Sequence, residues 1–314
     1  MKPIRRILFA VKDPSARSQP GMDKAITCAR RLGATLELFH ALSSPVFLEI
    51  QPLTGATLAA TKREARAQAQ RRLEQLAARA RKQDVTAICA VEWDYPPHEA
   101  IVRRALHSGA DLIIAECHKG RRAAPWLIYL TDWELVRTSH VPVLLIRNAR
   151  AWRERPVILA AVDPSHARSK PVRLDSQIAT EAERLADELS GNLHLMHANF
   201  PVMIGPANTQ RQRAFARFAK THWIPRSRRH LVDDDPAHAI PAVAKKLGAD
   251  VVVMGAVARS GLKRIFIGNT AERVLGALPC DVLVVKPMRD RKRIPTQSRG
   301  IRLIAPPPLV PLAA

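Results

Sequence analysis

An internal duplication limits the possible folds of this chain more than any other feature of its sequence. Residues 110–114 (ADLII) match residues 249–253 (ADVVV), 139 positions further on, and the same spacing takes Asp94 to Asp233. The match continues without gaps through the last third of each copy. Near the N-terminus, the segments AVKDPSARS and AVDPSHARS nearly repeat as well. The 314 residues are therefore predicted to form two copies of one domain of ordinary size.

Each copy is predicted to contain five strands that alternate with helices. The strands are expected near residues 5–11, 35–40, 85–92, 111–115 and 142–146 in the first copy, and near 156–162, 192–198, 228–232, 250–254 and 281–285 in the second. Apolar strands alternating with helical segments indicate a parallel sheet with helices on both faces. The sequence thus predicts an α/β chain with domains at 1–150 and 151–287, followed by a basic, proline-rich flexible tail at 288–314.

The cysteines and the apolar runs indicate a cellular compartment. Four scattered cysteines form no Cys-x-x-Cys pair, so we expect neither a disulfide framework nor a zinc ribbon, and a reducing cytoplasm fits them. The apolar run near the N-terminus is too short for the core of a signal peptide. No uncharged apolar run approaches the roughly 18 residues that a bilayer span requires. We therefore expect a soluble, cytoplasmic protein with no membrane partner.

The formal net charge of +22 is concentrated in three stretches. Residues 61–82, 211–230 and 286–302 carry net charges of +6, +7 and +6. Such stretches can hold nucleic acid non-specifically. A solvated helix face and a basic tail explain the same charges, and we favour this interpretation because no nucleic-acid motif or aromatic interleaving accompanies them. Association with nucleic acid stays an alternative.

The stretch from Ala249 to Pro287 carries the clearest chemical pattern. A short apolar strand ends at Gly255, an irregular segment with Arg259 and Gly261 follows, and the sequence Gly268-Asn269-Thr270-Ala271-Glu272 opens a helix. Backbone N–H groups at a glycine-bearing helix start, with basic residues nearby, suit a phosphate. The same residues also have a purely structural interpretation. Asn269 and Glu272 can cap the helix much as a capping box does, and Gly268 need only supply an unusual backbone angle.

This stretch resembles the C-terminal signature of the universal stress protein family. The family's nucleotide-binding form reads glycine, two residues, glycine, nine residues, glycine, then serine or threonine. The matching positions here are Gly255, Ala258, Gly268 and Asn269, with Thr270 one place late, so two of the four differ. The sequence MGAVARSG…GNTAE is similar to that of the tandem E-type branch of the family.

The resemblance implies a strand order of 3-2-1-4-5 in each domain. It also implies that the domains pair within the chain as a pseudo-dimer, with residues 143–146 facing residues 282–285. In that order a ligand binds at the carboxyl ends of strands 1 and 4. Asp163-Pro164-Ser165 would then lie opposite the Gly255 loop, and Asp163 would occupy the place of the family's acidic pocket residue. A simple turn is the alternative role for Asp-Pro-Ser.

The resemblance further implies a protein of stress resistance that binds ATP or another nucleotide in its second domain without strong catalysis. The phosphates, with any accompanying Mg²⁺, would meet the N–H groups around Gly255, Gly261, Gly268 and Asn269, near Arg259. Weak ATP hydrolysis is the most that is expected, because nothing resembles a nucleophile–base pair, paired catalytic carboxylates or a Walker loop.

The first copy has lost the loop chemistry, which motivates a second hypothesis. At the spacing of 139, Gly255 corresponds to Glu116, Gly268 to Tyr129 and Asn269 to Leu130. The apolar run at 125–130 could line a pocket or seal the interface between the copies. The alternative function is therefore a sensor or scaffold that takes an apolar, non-nucleotide ligand. A homo-oligomer is left open.

Overall fold

Strands and helices alternate in both halves of the molecule. The structure, a computed structural model, describes residues 3–42, 55–117, 133–139, 141–164, 173–199, 206–256 and 269–286, without the side chains of 55–58, 199, 206, 207, 269, 270 and 272. The first half contains β1 (Arg6–Ala10), α1 (Pro20–Leu32), β2 (Thr35–Leu42), α2 (Gly55–Arg81), β3 (Ala87–Trp93), α3 (Pro97–Ser108), β4 (Leu112–Glu116), α4 (133–138) and β5 (Val143–Ile146). The second contains β6 (Val157–Ala161), α5 (Leu174–Glu188), β7 (Asn192–Asn199), α6 (Pro206–Thr221), β8 (Arg229–Asp233), α7 (Pro236–Leu247), β9 (Val251–Gly255), α8 (Asn269–Ala277) and β10 (Asp281–Val285).

The ten strands of the described residues join one continuous sheet in the order β3-β2-β1-β4-β5-β10-β9-β6-β7-β8. Each half therefore has the expected order 3-2-1-4-5, and its strands are parallel. The two halves meet where β5 pairs antiparallel with β10, with Leu144 opposite Leu283. The predicted α/β fold and the pseudo-dimer through the last strands are both confirmed. We call this β5–β10 junction the seam.

The apolar strands are buried from both faces because helices cover both. In β1, β4, β5, β9 and β10, nearly every residue is buried. One core layer lies beneath α1, α2, α5 and α6, and the other beneath α3, α4, α7 and α8. A continuous apolar run suits this two-sided burial, whereas a half-exposed strand would alternate apolar and polar residues. None of the helices in the described part of the chain has the length and apolar character needed to cross a membrane.

A buried polar network crosses the seam. Lys24 of α1 lies 2.5 Å from the carboxylate of Asp281 on β10, and the two side chains are 4% and 0% exposed. The indole N–H of Trp152 and the backbone N–H of Arg147 each donate to the same carboxylate at 2.8 Å. Lys24 also donates to the carbonyl of Asn148 at 2.9 Å. The negative charge of Asp281 is thus compensated by a cation and two further donors, which a buried carboxylate requires.

Two further cations cross the seam in a symmetric way. Lys286, which follows β10, donates to the carbonyl of Ser139 at 3.1 Å and to that of Arg137, at the C-terminal end of α4. Arg147, which follows β5, reaches the carbonyl of Gly276 near the end of α8 at 3.5 Å. A cation at a helix C-terminus meets unpaired carbonyls and the negative end of the helix dipole. Each half thereby stabilises a helix of the other.

Six of the described helices end at a residue with a left-handed backbone, and in three of them that residue is glycine. Helices α1, α3 and α7 end at glycines in the left-handed conformation, with φ between 58° and 67°. Helices α2, α5 and α6 end instead with Asp84, Ser190 and Trp223, at φ 60°, 49° and 54°. The left-handed conformation costs a residue with a Cβ roughly 1–2 kcal/mol. Trp223 is the bulkiest side chain among the described residues that hold this conformation.

All four cysteines fall within the described residues and are free. Cys28 and Cys280 are buried, and Cys89 and Cys117 are half-buried. Burial raises the pKa of the Cys28, Cys89 and Cys280 thiols to about 12. Because the thiolate is the reactive form, these three groups are chemically quiet at neutral pH.

Two histidines connect the outer strands of the second half. His194 on β7 and His230 on β8 share a hydrogen bond of 2.9 Å between Nδ1 and Nε2, and their rings are stacked. Burial, the neighbouring His230 and Arg228 lower the pKa of His194 to about 4. Burial and then Lys246 lower the pKa of His230. In the first half, Glu37 occupies the position of His194 and is paired with Arg104, with 2.6 Å between Oε1 and Nε.

This histidine pair should make the second half sensitive to acid. A histidine whose folded pKa is depressed binds fewer protons in the folded than in the unfolded state, so its contribution is complete above about pH 6.5 and is lost as the pH falls toward its folded value. We expect the free energy of unfolding to fall from pH 7 to pH 5, and to fall less in a His194→Asn/His230→Asn variant. Urea unfolding at both pH values measures the difference. An equal decline in both proteins would contradict the assignment.

Candidate ligand crevice and its blocked counterpart

The strand order of the second half changes direction between β6 and β9, which is the topological switch point of its sheet. These strands are parallel neighbours, with Ile158 opposite Val251 and Ala160 opposite Val253. Helix α5 follows β6 into one core layer, and α8 follows β9 into the other. Since the connections leave on opposite faces, a crevice opens outside the carboxyl ends of the two strands. Asp163 lies at the end of β6, and Gly255 is the last residue of β9.

Asp163 is fixed at the mouth of this crevice by neighbours on two elements. Its backbone N–H donates to the carboxylate of Asp175 in the first turn of α5, at 2.8 Å. Its own Oδ1 lies 3.8 Å from Nδ1 of His197 on β7. That nitrogen also lies 3.1 Å from the carbonyl of Val162, so it carries the proton. The Asp163 carboxylate is 15% exposed and is therefore partly open to solvent.

The first half repeats this arrangement. His40 of β2 donates from Nδ1 to the carbonyl of Val11 at 2.8 Å. Burial lowers the pKa of His40, and the Val11 carbonyl and the Asp13 carboxylate oppose that shift. His40 and His197 are 157 positions apart, and each is followed by alanine. Our sequence analysis missed these histidines, although the spacing was available as a signal.

The first crevice is blocked by a carboxylate. Glu116, at the end of β4, accepts a hydrogen bond from the backbone N–H of Gly21 at 2.7 Å. Gly21 lies in the first turn of α1, where backbone N–H groups are unpaired and favour an anion. A Cβ at Gly21 would lie 2.6 Å from Cγ of Glu116, so the absence of a side chain at Gly21 leaves room for the Glu116 side chain. The carboxylate thus occupies the place at which a ligand anion would approach α1.

The second half has the opposite arrangement at the same contact. The spacing of 157 that relates the two histidines takes Gly21 to Ile178 of α5, and the spacing of 139 takes Glu116 to Gly255. A Cβ at Gly255 would lie 2.8 Å from Leu174 and 2.9 Å from Ile178. Each half therefore has one glycine at the contact between the strand end and the helix. In the first half the glycine is on the helix (Gly21), and in the second half it is on the strand (Gly255). Gly255 therefore allows α5 to pack closely on the end of β9, whether or not a ligand approaches it.

Residues 3–147 and residues 146–286 each match the universal stress protein family. The chain belongs to the universal stress protein family. It is 26% identical over 309 residues to universal stress protein E of Escherichia coli K12, covering 92% of this chain and 96% of that protein. It is also 26% identical over 300 residues to universal stress protein E of Photorhabdus laumondii, covering 89% and 94%. The predicted tandem E-type arrangement is confirmed.

Solved structures show the same fold. Protein PA1789 of Pseudomonas aeruginosa PAO1 superposes with a TM-score of 0.72 at 26% identity, over 92% of this chain and 94% of that chain. A universal stress protein of Archaeoglobus fulgidus superposes with a TM-score of 0.61 at 16% identity, over 89% and 96%. Both span the two halves of the tandem arrangement. The fold of the whole chain is thus shared with these two structures.

The predicted site residues fall into three groups. Asp163 and Pro164 lie at the end of β6, and Gly255 ends β9 across the crevice. Asn269 and Thr270 begin α8, without described side chains. Outside the described residues are Ser165, Ala258, Arg259, Gly261 and Gly268, together with the tail at 288–314 and the apolar run at 125–130. Within the described ranges, no group of three or more histidine, cysteine, aspartate or glutamate residues could hold a metal ion.

Proposed function

We propose that this tandem universal stress protein binds a nucleotide, with ATP as the first candidate, in the crevice between β6 and β9. Membership of the family supports a role in the stress response. The observation that carries the proposal is the difference between the crevices. Glu116 places a carboxylate against α1 in the first half, whereas in the second half Gly255 has no side chain and the apolar side chains of Leu174 and Ile178 lie beside it. An anionic ligand is repelled by the first arrangement and tolerated by the second.

Each part of the crevice has a proposed role. The Asp163 carboxylate accepts hydrogen bonds from the base or sugar, with Pro164 and Ser165 shaping the turn beside it. The N-terminus of α8, at Asn269 and Thr270, would offer backbone N–H groups to the phosphates, together with Gly268 before it in the sequence. Gly255, Ala258 and Gly261 allow the connecting segment to approach the ligand, and Arg259 adds positive charge. A magnesium ion would enter with the phosphates.

We infer binding without strong catalysis. Asp163 is the one carboxylate that we assign to this crevice, whereas hydrolysis requires a base positioned on a water molecule beside the terminal phosphate. Ala258 and Asn269 also depart from the family's nucleotide-binding pattern. We further propose a cytoplasmic location, which the four free cysteines support.

Replacing Asp163 with asparagine should weaken nucleotide binding by at least about tenfold, because a hydrogen bond to a charged group contributes roughly 1.5–3 kcal/mol. The matched control is Asp13→Asn, which changes the equivalent residue beside the blocked first crevice. That variant should bind ATP as the unmodified chain does. Equilibrium dialysis against ATP with magnesium measures all three proteins. No retention of nucleotide by the unmodified chain at millimolar ATP would refute the proposal, as would equal losses in both variants.

A second candidate function follows from the packing role of Gly255. Since the close packing of Leu174 and Ile178 already explains a glycine there, its presence does not by itself indicate phosphate. The crevice could then serve a sensor or scaffold that takes an apolar ligand. Native mass spectrometry of the purified protein separates the two functions. A co-purified nucleotide supports the first, and a co-purified apolar molecule supports the second.

A further inference from the structure

Trp223 is the most exposed of the large apolar side chains in the described part of the chain. Its side chain is 92% exposed, whereas the next, Leu106, is 52% exposed. Its backbone is left-handed, with φ 54°, in the position that glycine occupies at the ends of α1, α3 and α7. Tryptophan at this position therefore pays a conformational cost and gains almost no burial in return. Folding alone does not account for it.

The turn that presents Trp223 is well anchored. The backbone N–H of Trp223 donates to the carbonyl of Lys220 at 3.1 Å, and that of Ile224 donates to the carbonyl of Ala219 at 3.0 Å. His222 lies 2.7 Å from the carboxylate of Glu183 on α5. The exposed indole is thus held at a defined position instead of at the end of a loose loop.

A stripe of cations leads to this tryptophan along α6. Arg213, Arg217 and Lys220 are exposed and are spaced by four and three residues, which places them on one face over about 10 Å of helix. Arg226 is exposed just beyond Trp223, and residues 211–230 contain no acidic residue. We call Arg213, Arg217, Lys220, Trp223 and Arg226 the α6 surface. The sequence analysis found no aromatic residue interleaved with these charges. That interpretation was wrong for this stretch, because Trp223 lies between Lys220 and Arg226.

The chemistry of this surface favours a polyanion over a membrane. An interfacial helix must insert an apolar face into lipid. The apolar face of α6, with Phe215 and Ala219, is buried in the protein core and is unavailable for insertion. One exposed indole beside several cations instead matches a single-stranded nucleic acid, whose bases stack on aromatic rings while its phosphates meet lysine and arginine.

We propose that the α6 surface binds single-stranded nucleic acid. The phosphates contact the cations of the stripe, and one unstacked base lies on the indole of Trp223. This activity is separate from the nucleotide crevice, because α6 leads to β8 on the outer edge of the sheet and β6 and β9 lie further in. No base-specific readout is involved, so binding tolerates different sequences and prefers single strands to duplexes.

Fluorescence anisotropy of a labelled 20-nucleotide single strand tests the proposal with the full chain. Trp223→Gly should weaken binding by about 5-fold to 150-fold, the range that one stacked base contributes. Its melting temperature should equal or exceed that of the unmodified chain, because glycine suits the left-handed conformation. Arg217→Gln with Lys220→Gln should also weaken binding, and should reduce the slope of log affinity against log salt by about 1.4. Arg71→Gln with Arg72→Gln, on exposed α2 positions, is the charge-matched control and should change neither.

Three outcomes would overturn the proposal. The first is absence of binding at 50 mM salt, and the second is affinity that does not change in Trp223→Gly. The third is binding to vesicles of phosphatidylserine and phosphatidylcholine that depends on Trp223 while the oligonucleotide does not bind, since the partner is then a membrane.

Discussion

Replacing Lys24 with methionine is expected to lower the free energy of unfolding by about 3–5 kcal/mol, the cost of leaving one member of a buried ion pair uncompensated. Asp281 is fully buried, 2.5 Å from the ammonium group, and the indole of Trp152 and the backbone N–H of Arg147 donate to it. These two donors cannot neutralise a full negative charge. Urea unfolding followed by both circular dichroism and tryptophan fluorescence measures the loss, provided the two transitions coincide.

An adjacent residue supplies the control for this prediction. Asp23, next to Lys24 on α1, pairs with Arg79 at 2.8 Å, but the two side chains are 65% and 48% exposed. Arg79→Met removes a cation of similar size and should change the stability by less than about 1 kcal/mol. The double variant Lys24→Met/Asp281→Asn removes both buried charges and should recover part of the loss. If Lys24→Met lowers the free energy of unfolding no more than Arg79→Met does, the buried pair does not stabilise the seam.

The second large effect is expected at the contact that blocks the first crevice. Gly21→Ile places a side chain within 2.6 Å of the present position of Glu116 and should lower the free energy of unfolding by about 1–3 kcal/mol or more. Glu116→Gly leaves the N–H of Gly21 without its carboxylate and should cost about 1–3 kcal/mol. Each single change leaves the contact either overfilled or underfilled.

The double variant Gly21→Ile/Glu116→Gly transfers the arrangement of the second half, Ile178 against Gly255, into the first. We expect its loss of free energy of unfolding to be smaller than the sum of the two single losses by about 1–3 kcal/mol, a coupling typical of residues in direct contact. Urea unfolding of the four proteins completes the thermodynamic cycle. Strict additivity would show that the two residues do not form the reciprocal contact described above.

Much of the fold could be predicted because the sequence contains two copies of the same domain. The matching segments at 110–114 and 249–253 predicted β4 and β9. A short apolar run is weak evidence for a strand in one copy, but its recurrence in the second copy strengthens the prediction. The resemblance then supplied the order 3-2-1-4-5 and the meeting of residues 143–146 with 282–285, which the β5–β10 pairing confirms. The domain limits at 150 and 287 stay predictions.

The side-chain contacts at the crevice and the seam were beyond a sequence analysis. Lys24 is one of 50 basic residues, and its partner Asp281 lies 257 positions away. Glu116 appeared as a lost glycine, and its bond to Gly21, 95 positions earlier, gives it a positive role. Such pairs depend on how helices settle on the sheet. Asp163 was predicted at the crevice because strand order alone determines which strand ends are adjacent.

The joining of β5 to β10 within one polypeptide has a consequence for how the halves have diverged. Two identical subunits related by a twofold axis must carry every bond across their boundary twice. Here Lys24 and Asp281 have no such duplicates, since the corresponding positions hold Glu181 and Pro142. Covalent fusion permits such one-sided bonds beside the symmetric contacts of Lys286 and Arg147, and it makes the association of the halves independent of dilution. This protein is, in effect, a permanent heterodimer encoded by a single reading frame.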